Sequence, residues 1–216
     1  MNQRRDIVII GASGFGKEVA FLVEDINRAG GDFHLLGFLD DAASKWGTTC
    51  LDLPVLGHVD WLRERCDVLA VVAIGDPDVR VRIVARLDAL GVTCPTLIHP
   101  SVISHASNRF ADGAVVCAGN VLTVEIRVGR HVHLNLSNTV GHGAVLGDFS
   151  TVYPGVNISG DVILRERVSL GTGGQVLQGV TVGAGTFVGA GATVVRDLPG
   201  GVVAVGTPAK PIKERP

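Results

Sequence analysis

The sequence predicts two unlike domains, an α/β domain followed by a parallel β-helix built on a hexapeptide repeat. Two observations carry that prediction. From residue 98 to 195 an apolar residue returns at every sixth position without insertion, as Ile98, Phe110, Val116, Leu122, Val128, Leu134, Val140, Leu146, Val152, Ile158, Leu164, Leu170, Val176, Val182, Val188 and Val194, with only Ser104 out of character. Ahead of this repeat, short apolar runs alternate with stretches of helical periodicity, and three of the runs end in turns rich in Gly and Asp.

The α/β half reads in order as follows. Residues 6–10 form an apolar strand that runs into Gly11-Ala12-Ser13-Gly14-Phe15-Gly16, and the helical pattern of residues 17–25 follows. Such a strand, Gly-rich turn and helix aims backbone N–H groups and a helix N-terminus at one spot, a ready phosphate site; it serves equally as a tight turn that packs helix on strand. Residues 34–39 are a second strand ending at Asp40 and Asp41, placed as a ribose-binding acid is in nucleotide-binding βαβ units, or as a solvated turn. Residues 54–57 are extended and 58–66 a short amphipathic helix with Trp61 and Leu62 on its core side. A third buried strand, 68–74, ends at Gly75, Asp76 and Pro77 before a helix over 78–90. Ligands of open α/β sheets bind outside the carboxyl ends of the strands, where Gly11 to Gly16, Asp40, Asp41, Gly75 and Asp76 gather. That arrangement is Rossmann-like. Residues 93–97 read as a last strand, with Pro95 and Pro100 marking the hand-over.

A six-residue period fits neither an α-helix nor a two-sided strand, so it is a repeat architecture. Each hexapeptide supplies one short strand of a triangular coil with its phase residue inward and Gly, Asp or Asn at bends of positive φ. A second inward row lies four residues on, at Ala114, Ala144, Ser150, Val156, Val162, Val168, Val180, Thr186 and Ala192. Three hexapeptides close a coil, so residues eighteen apart stack at the strand spacing of about 4.8 Å. The predicted domains are 1–97, 98–198 and a C-terminal tail, 199–216, carrying Lys210, Lys213 and Arg215.

The 216 residues, 46% of them hydrophobic, suffice for two cores. A net charge of -2 lacks the basic footprint of a general nucleic-acid binder. Cys50, Cys66, Cys94 and Cys117 show no C-x-x-C pair or metal-ligand spacing and read as reduced packing residues. A polar N-terminus and no apolar run of about 18 residues predict a soluble cytoplasmic protein without membrane insertion. The mean hydropathy of +0.37 comes from Val and Ala inside the repeat.

The GASGFG opening, the FLDD and AIGD turns, the segment from Asn135 to Gly143, the run VTVGAGTFVGAGATVV and the closing VGTPAK together resemble the hexapeptide-repeat sugar acyltransferases. The closest resemblance is to bacterial N-acetyltransferases acting on nucleotide-linked 4-amino sugars, with sialic-acid O-acetyltransferases nearby. It covers essentially the whole chain. The resemblance implies a homotrimer of left-handed β-helices, acetyl-CoA along the helix between subunits, and a nucleotide-linked 4-amino-4,6-dideoxy sugar of surface glycan biosynthesis held by the N-terminal domain; no metal is expected, because His105, His131, His133 and His142 contain no pair eighteen residues apart. By motif, His142 is the base that deprotonates the amine, Asn135 the sugar-side asparagine, and Gly160, one coil on, the backbone N–H facing the thioester oxyanion. Gly11, Ser13, Gly14, Phe15, Gly16, Asp40, Asp41, Gly75 and Asp76 match the nucleotide-sugar side; Gly160, Gly171, Gly173, Gly174, Gly189, Gly191 and Lys210 match the CoA side. Three positions depart from the pattern. Gly143 stands where an acidic residue usually follows the histidine, Thr151 replaces a histidine nine residues on, and Phe15 replaces the histidine of the Gly-rich loop.

Acetyl transfer to an amine needs a proton acceptor, and a histidine titrates near working pH. From the residues alone His99, His105, His131 and His133 compete with His142. A base also needs an orienting acceptor, which Gly143 cannot supply. Eighteen residues before and after Gly143 stand Glu125 and Asp161, and either carboxylate replaces the missing acid, or a backbone carbonyl or water does. Small residues at 171–174 and 189–191 suit close approach of a pantetheine arm, and also make β-helix corners. Three other readings compete: a dinucleotide-dependent oxidoreductase, a zinc hydratase with histidines from several coils, and a β-helical scaffold that senses a nucleotide sugar.

Overall fold

Strand β1 (Arg5–Ile10) is buried along its last four residues and pairs in parallel with β2 (Phe33–Leu39) on one side and β5 (Leu69–Val72) on the other. Its Ile and Val side chains are shut off from water on both sheet faces, which is why the run is continuous rather than alternating. The computed structural model describes residues 4–65 and 67–215. It divides into two units, Met1–Pro100 and Ser101–Pro216.

In the first unit β3 (Thr49–Cys50) and β4 (Leu53–Gly57) form an antiparallel hairpin whose second strand joins β2, giving the order β3-β4-β2-β1-β5. Helix α1 (Gly14–Arg28) buries Gly16, Val19, Ala20, Leu22 and Val23. A side chain at Gly16 would collide with the Gly11 carbonyl, so this glycine sets how closely α1 seats on β1. Helix α2 (Pro77–Leu90) starts on Asp76, whose carboxylate accepts from the amides of Asp78 and Val79, and ends on Gly91 in the left-handed conformation.

Two elements differ from expectation. The helix expected over 58–66 is a 3-10 turn, Val59–Glu64; Leu62 is fully buried, while Trp61 is half-buried under the Arg65 guanidinium. Its expected end, Cys66, lies outside the described residues. The strand expected over 93–97 shrinks to Leu97–Ile98. The Thr93 carbonyl accepts from Ala70, but Pro95 has no N–H with which to continue a ladder.

The second unit is a triangular parallel β-helix of two-residue rungs. One face stacks six rungs, from Ile103–Ser104 through Val121–Leu122, Thr139–Val140, Asn157–Ile158 and Gln175–Val176 to Thr193–Val194. A second face stacks five, from Arg109–Phe110 to Thr181–Val182, and the third runs through His133–Leu134 and Thr151–Val152 to Phe187–Val188. Every rung pairs with the rung eighteen residues away. The inward row from Val116 to Val194 is buried throughout, whereas Ser104 at the first turn is exposed. The second row mixes the expected small and β-branched residues with Asn108, Asn120 and Asn138. These asparagines hydrogen-bond across coils: Asn120 Nδ2 donates to the Asn135 carbonyl (2.7 Å), and Asn138 Oδ1 accepts from the Val156 amide (2.8 Å).

The bends at positive φ recur every sixth residue from Gly113 to Gly191, but not only Gly, Asp and Asn fill them. Glu125, His131, Ser137, Phe149 and Arg167 take the same conformation as Asp161. Stacking compensates part of the cost: the His131 ring lies parallel to Phe149 one coil on, centroids 5.5 Å apart. After the last coil, Val202–Val205 pairs with the third face and with Lys210–Glu214 in an antiparallel hairpin.

Candidate active site

In the first unit the carboxyl ends of β1, β2 and β5 open on a cavity of about 250 Å³ lined by Gly11, Ser13, Asp40, Asp41 and Gly75, with Ile10, Ile74, Val79 and Ile83 as its apolar wall. Five of the expected nucleotide-side residues therefore meet. Gly14, Phe15, Gly16 and Asp76 do not line it: Gly16 is buried in the first turn of α1 against the Gly11 carbonyl, and Asp76 is spent on capping α2. Asp40 is also engaged, by the amides of Ala12 and Ala42 (both 3.0 Å) and the Lys45 ammonium (2.6 Å). Burial pushes its carboxyl up, but Lys45 and those two amides outweigh it and hold the group below the ordinary carboxylate value. Asp41 forms an ion pair with Arg86. Sequence reasoning missed Arg80, which is fully buried and donates to the Ile74 carbonyl at 2.6 Å, fixing the turn that ends at Gly75.

In the second unit the histidines separate by environment. His131 and His133 are buried, His99 of the first unit pairs with Asp25 at 3.0 Å, and His105 is held in an exposed turn with Ser107. The His99 hydrogen bond keeps the Asp25 carboxyl below its usual range. His142 instead stands on the outside of a corner with its side chain 57% exposed. Its imidazole lies directly on Gly160, one coil on. A methyl group at position 160 would stand 2.5 Å from His142 Cε1 and 3.0 Å from Cδ2, with Nε2 closer still. The Gly160 amide donates to no group among the described residues, while its carbonyl accepts from Gly179 at 2.9 Å.

The two candidate carboxylates are not equivalent. Asp161 Oδ1 is 3.6 Å from His142 Nδ1, and a methyl group at Gly143 would collide with that same oxygen. Glu125 makes no hydrogen bond or ion pair with His142; it lines an open groove of about 640 Å³ with Ser107, Arg109, Arg127 and Gly143. Asn135, seven residues before His142, is buried with its Oδ1 unpartnered.

The glycines expected on the CoA side also divide. Gly171, Gly174 and Gly189 are buried, and side chains at Gly171 and Gly189 would strike the next coil or Val205. Gly173 and Gly191 stand in one corner column, exposed and with open space around them. Lys210 is exposed on the terminal hairpin. Among the described residues no group of three His, Cys, Asp or Glu could hold a metal ion, and no helix is long and apolar enough to cross a membrane.

Comparison with known proteins bears on this arrangement. Residues 6–87 match the family model of the PglD N-terminal domain. A GDP-perosamine N-acetyltransferase of Escherichia coli O157:H7 is 28% identical over 96% of each chain. Among solved structures, a histidine-to-asparagine mutant of perosamine N-acetyltransferase from Caulobacter crescentus, in complex with CoA and GDP-perosamine, is 33% identical over 97% of each chain with a TM-score of 0.87. The acetyltransferase domain of PglB from Neisseria gonorrhoeae, in complex with acetyl coenzyme A, is 33% identical, with 97% of this chain and 100% of that one covered and a TM-score of 0.89. An α/β domain joined to a left-handed parallel β-helix, a solvent-exposed histidine seated on a glycine of the following coil, and relatedness along nearly the whole length place this chain in the family of hexapeptide-repeat sugar N-acetyltransferases.

Proposed function

We propose that the protein transfers an acetyl group from acetyl-CoA to the amine of a nucleotide-linked 4-amino-4,6-dideoxy sugar. The seating of His142 on Gly160 carries this reading. It sets an exposed proton acceptor against a residue whose backbone N–H donates to no group among the described residues, and amide formation from a thioester requires both kinds of group. Acetyl-CoA supplies the acyl group. His142 Nε2 takes the proton as the amine nitrogen bonds to the acyl carbon; the C–S bond breaks, and the proton leaves with the thiolate as CoA thiol. The Gly160 amide faces the charge that gathers on the carbonyl oxygen. Asn135 is the sugar-side asparagine that the resemblance implies, and its buried Oδ1 has no partner within the coil.

On the nucleotide side, Ser13, Gly11, Gly75 and Asp41 border the cavity, and Asp40 shapes it by holding the Ala12 and Ala42 amides. Gly173, Gly191 and Lys210 take the CoA arm and its phosphates. The assembly is a homotrimer of a cytoplasmic surface-glycan pathway, as the resemblance to such enzymes favours. The test is thiol release from acetyl-CoA with UDP- and GDP-linked 4-amino-4,6-dideoxyhexoses as acceptors. Turnover with one of them, lowered by about 10²–10⁴-fold in His142→Ala, is the expected result. Turnover only with hydroxyl acceptors of the sialic-acid type, or none at all, overturns the reading.

A further inference from the structure

We infer that Asp161 is the positioning residue of His142, a carboxylate delivered from the following coil into space that Gly143 leaves open. This deepens the proposed function and rests on it. The left-handed corner column runs through Glu125, Gly143, Asp161 and Gly179, each stacked on the next. Gly143 follows His142 directly in the chain, so a carboxylate there would reach the imidazole from its own backbone. No side chain is present at that position, and the Asp161 carboxylate fills the gap: Oδ1 sits where a Cβ on residue 143 would collide with it, and Cγ is 3.5 Å from that Cβ position. The same oxygen faces His142 Nδ1 at 3.6 Å.

That separation lies within ion-pair range and beyond a direct hydrogen bond. Both side chains are 57% exposed, so a small χ rotation closes the gap, and catalytic hydrogen bonds commonly tighten when substrate arrives. The Asp161 amide donates to the His142 carbonyl at 2.7 Å, so the backbone that carries the carboxylate is tied to the backbone that carries the base. An acceptor at Nδ1 keeps the neutral imidazole protonated there and leaves Nε2, the atom over Gly160, to receive the amine proton. The two glycines have complementary tasks. Gly160 clears room for the ring, and Gly143 clears room for the group that aims it.

The test uses the full-length protein. At φ +58 residue 161 accepts glycine without strain, so Asp161→Gly removes the carboxylate and keeps the bend. The expected result is a kcat lower by about 10–100-fold with little change in acceptor KM, and loss of the Nδ1–H tautomer of His142 in ¹⁵N NMR, assigned through His142→Ala. Adding Gly143→Asp to Asp161→Gly returns the carboxylate one coil back and restores most of kcat. Unchanged kcat and an unchanged tautomer in Asp161→Gly overturn the inference, as does a loss that appears in Glu125→Gln and not in Asp161→Gly. A wild-type protein inactive on every nucleotide-linked amine would sink the proposed function alone, because the tautomer comparison judges Asp161 without turnover.

Discussion

Gly160→Ala isolates the contact on which the proposed chemistry depends. Residue 160 is outside the left-handed region, so alanine brings no backbone strain, and its coil is buried among Ile158, Val162 and Leu164. The added methyl meets the His142 ring, 2.5 Å from Cε1, where carbon contacts settle at about 3.5 Å. The ring must therefore retreat by about 1 Å. It can do so cheaply, because its outer side is in solvent. A displacement of about 1 Å at a reacting group costs on the order of 100-fold in rate, or about 2.7 kcal/mol of transition-state stabilisation. The expectation is a fall of that size in kcat/KM with a thermal midpoint close to wild type. Thiol release with the nucleotide-sugar acceptor measures the first, and calorimetry the second. In a His142→Ala background the methyl has nothing to displace, so Gly160→Ala adds no further loss. If the single variant retains wild-type kcat/KM, or the losses add fully, the base does not act from this seat.

The remaining predictions concern stability. Asp40 is held below its ordinary value, so its contribution is complete above the unfolded pKa of about 3.9 and disappears as pH falls through the lower folded value. Asp40→Asn should lower the unfolding midpoint at neutral pH, with the gap to wild type closing in acid; a gap of constant size down the acid limb contradicts this. Asn138→Ala leaves the Val156 amide without its partner inside the coil, at about 1–3 kcal/mol, while the Asn135 carbonyl keeps the Asn120 donor. Denaturant unfolding at equilibrium measures it, and a cost near zero would mean water has replaced the side chain.

The repeat was fully legible because a period of six admits one kind of solution. Once Val116, Leu134 and Val152 point inward, the offset of eighteen follows, and with it the adjacency of His142 to Gly160 and of Gly143 to Asp161. What the offset does not reveal is direction. Glu125 and Asp161 are equivalent in the arithmetic, and only side-chain geometry separates them. The bends were less legible, since Phe149 and Arg167 adopt positive φ because the stacked coil demands it, whatever their own preference. Asn120 and Asn138 stand in an inward row without being apolar because their partners are backbone groups of neighbouring coils. In the first unit, three turns at one sheet edge identified the cavity, yet Asp76 and Asp40 each turned out to serve local backbone amides. An acid that caps a helix and an acid that binds a ligand look alike in one dimension. The failed strand over 93–97 had β-branched character and a proline, and the proline decided it.

The stacked corners have a consequence for how such a protein can change over time. Any outward-facing position has two near-equivalent addresses, its own and the one eighteen residues away. A functional group can therefore migrate between coils while scarcely moving in space, as a carboxylate at 161 does in standing beside position 143. Two proteins built this way can share a chemical arrangement that a residue-by-residue comparison would score as lost in one of them. The helical coil makes function portable in steps of one turn, and loss at a familiar position is a reason to look one storey up or down.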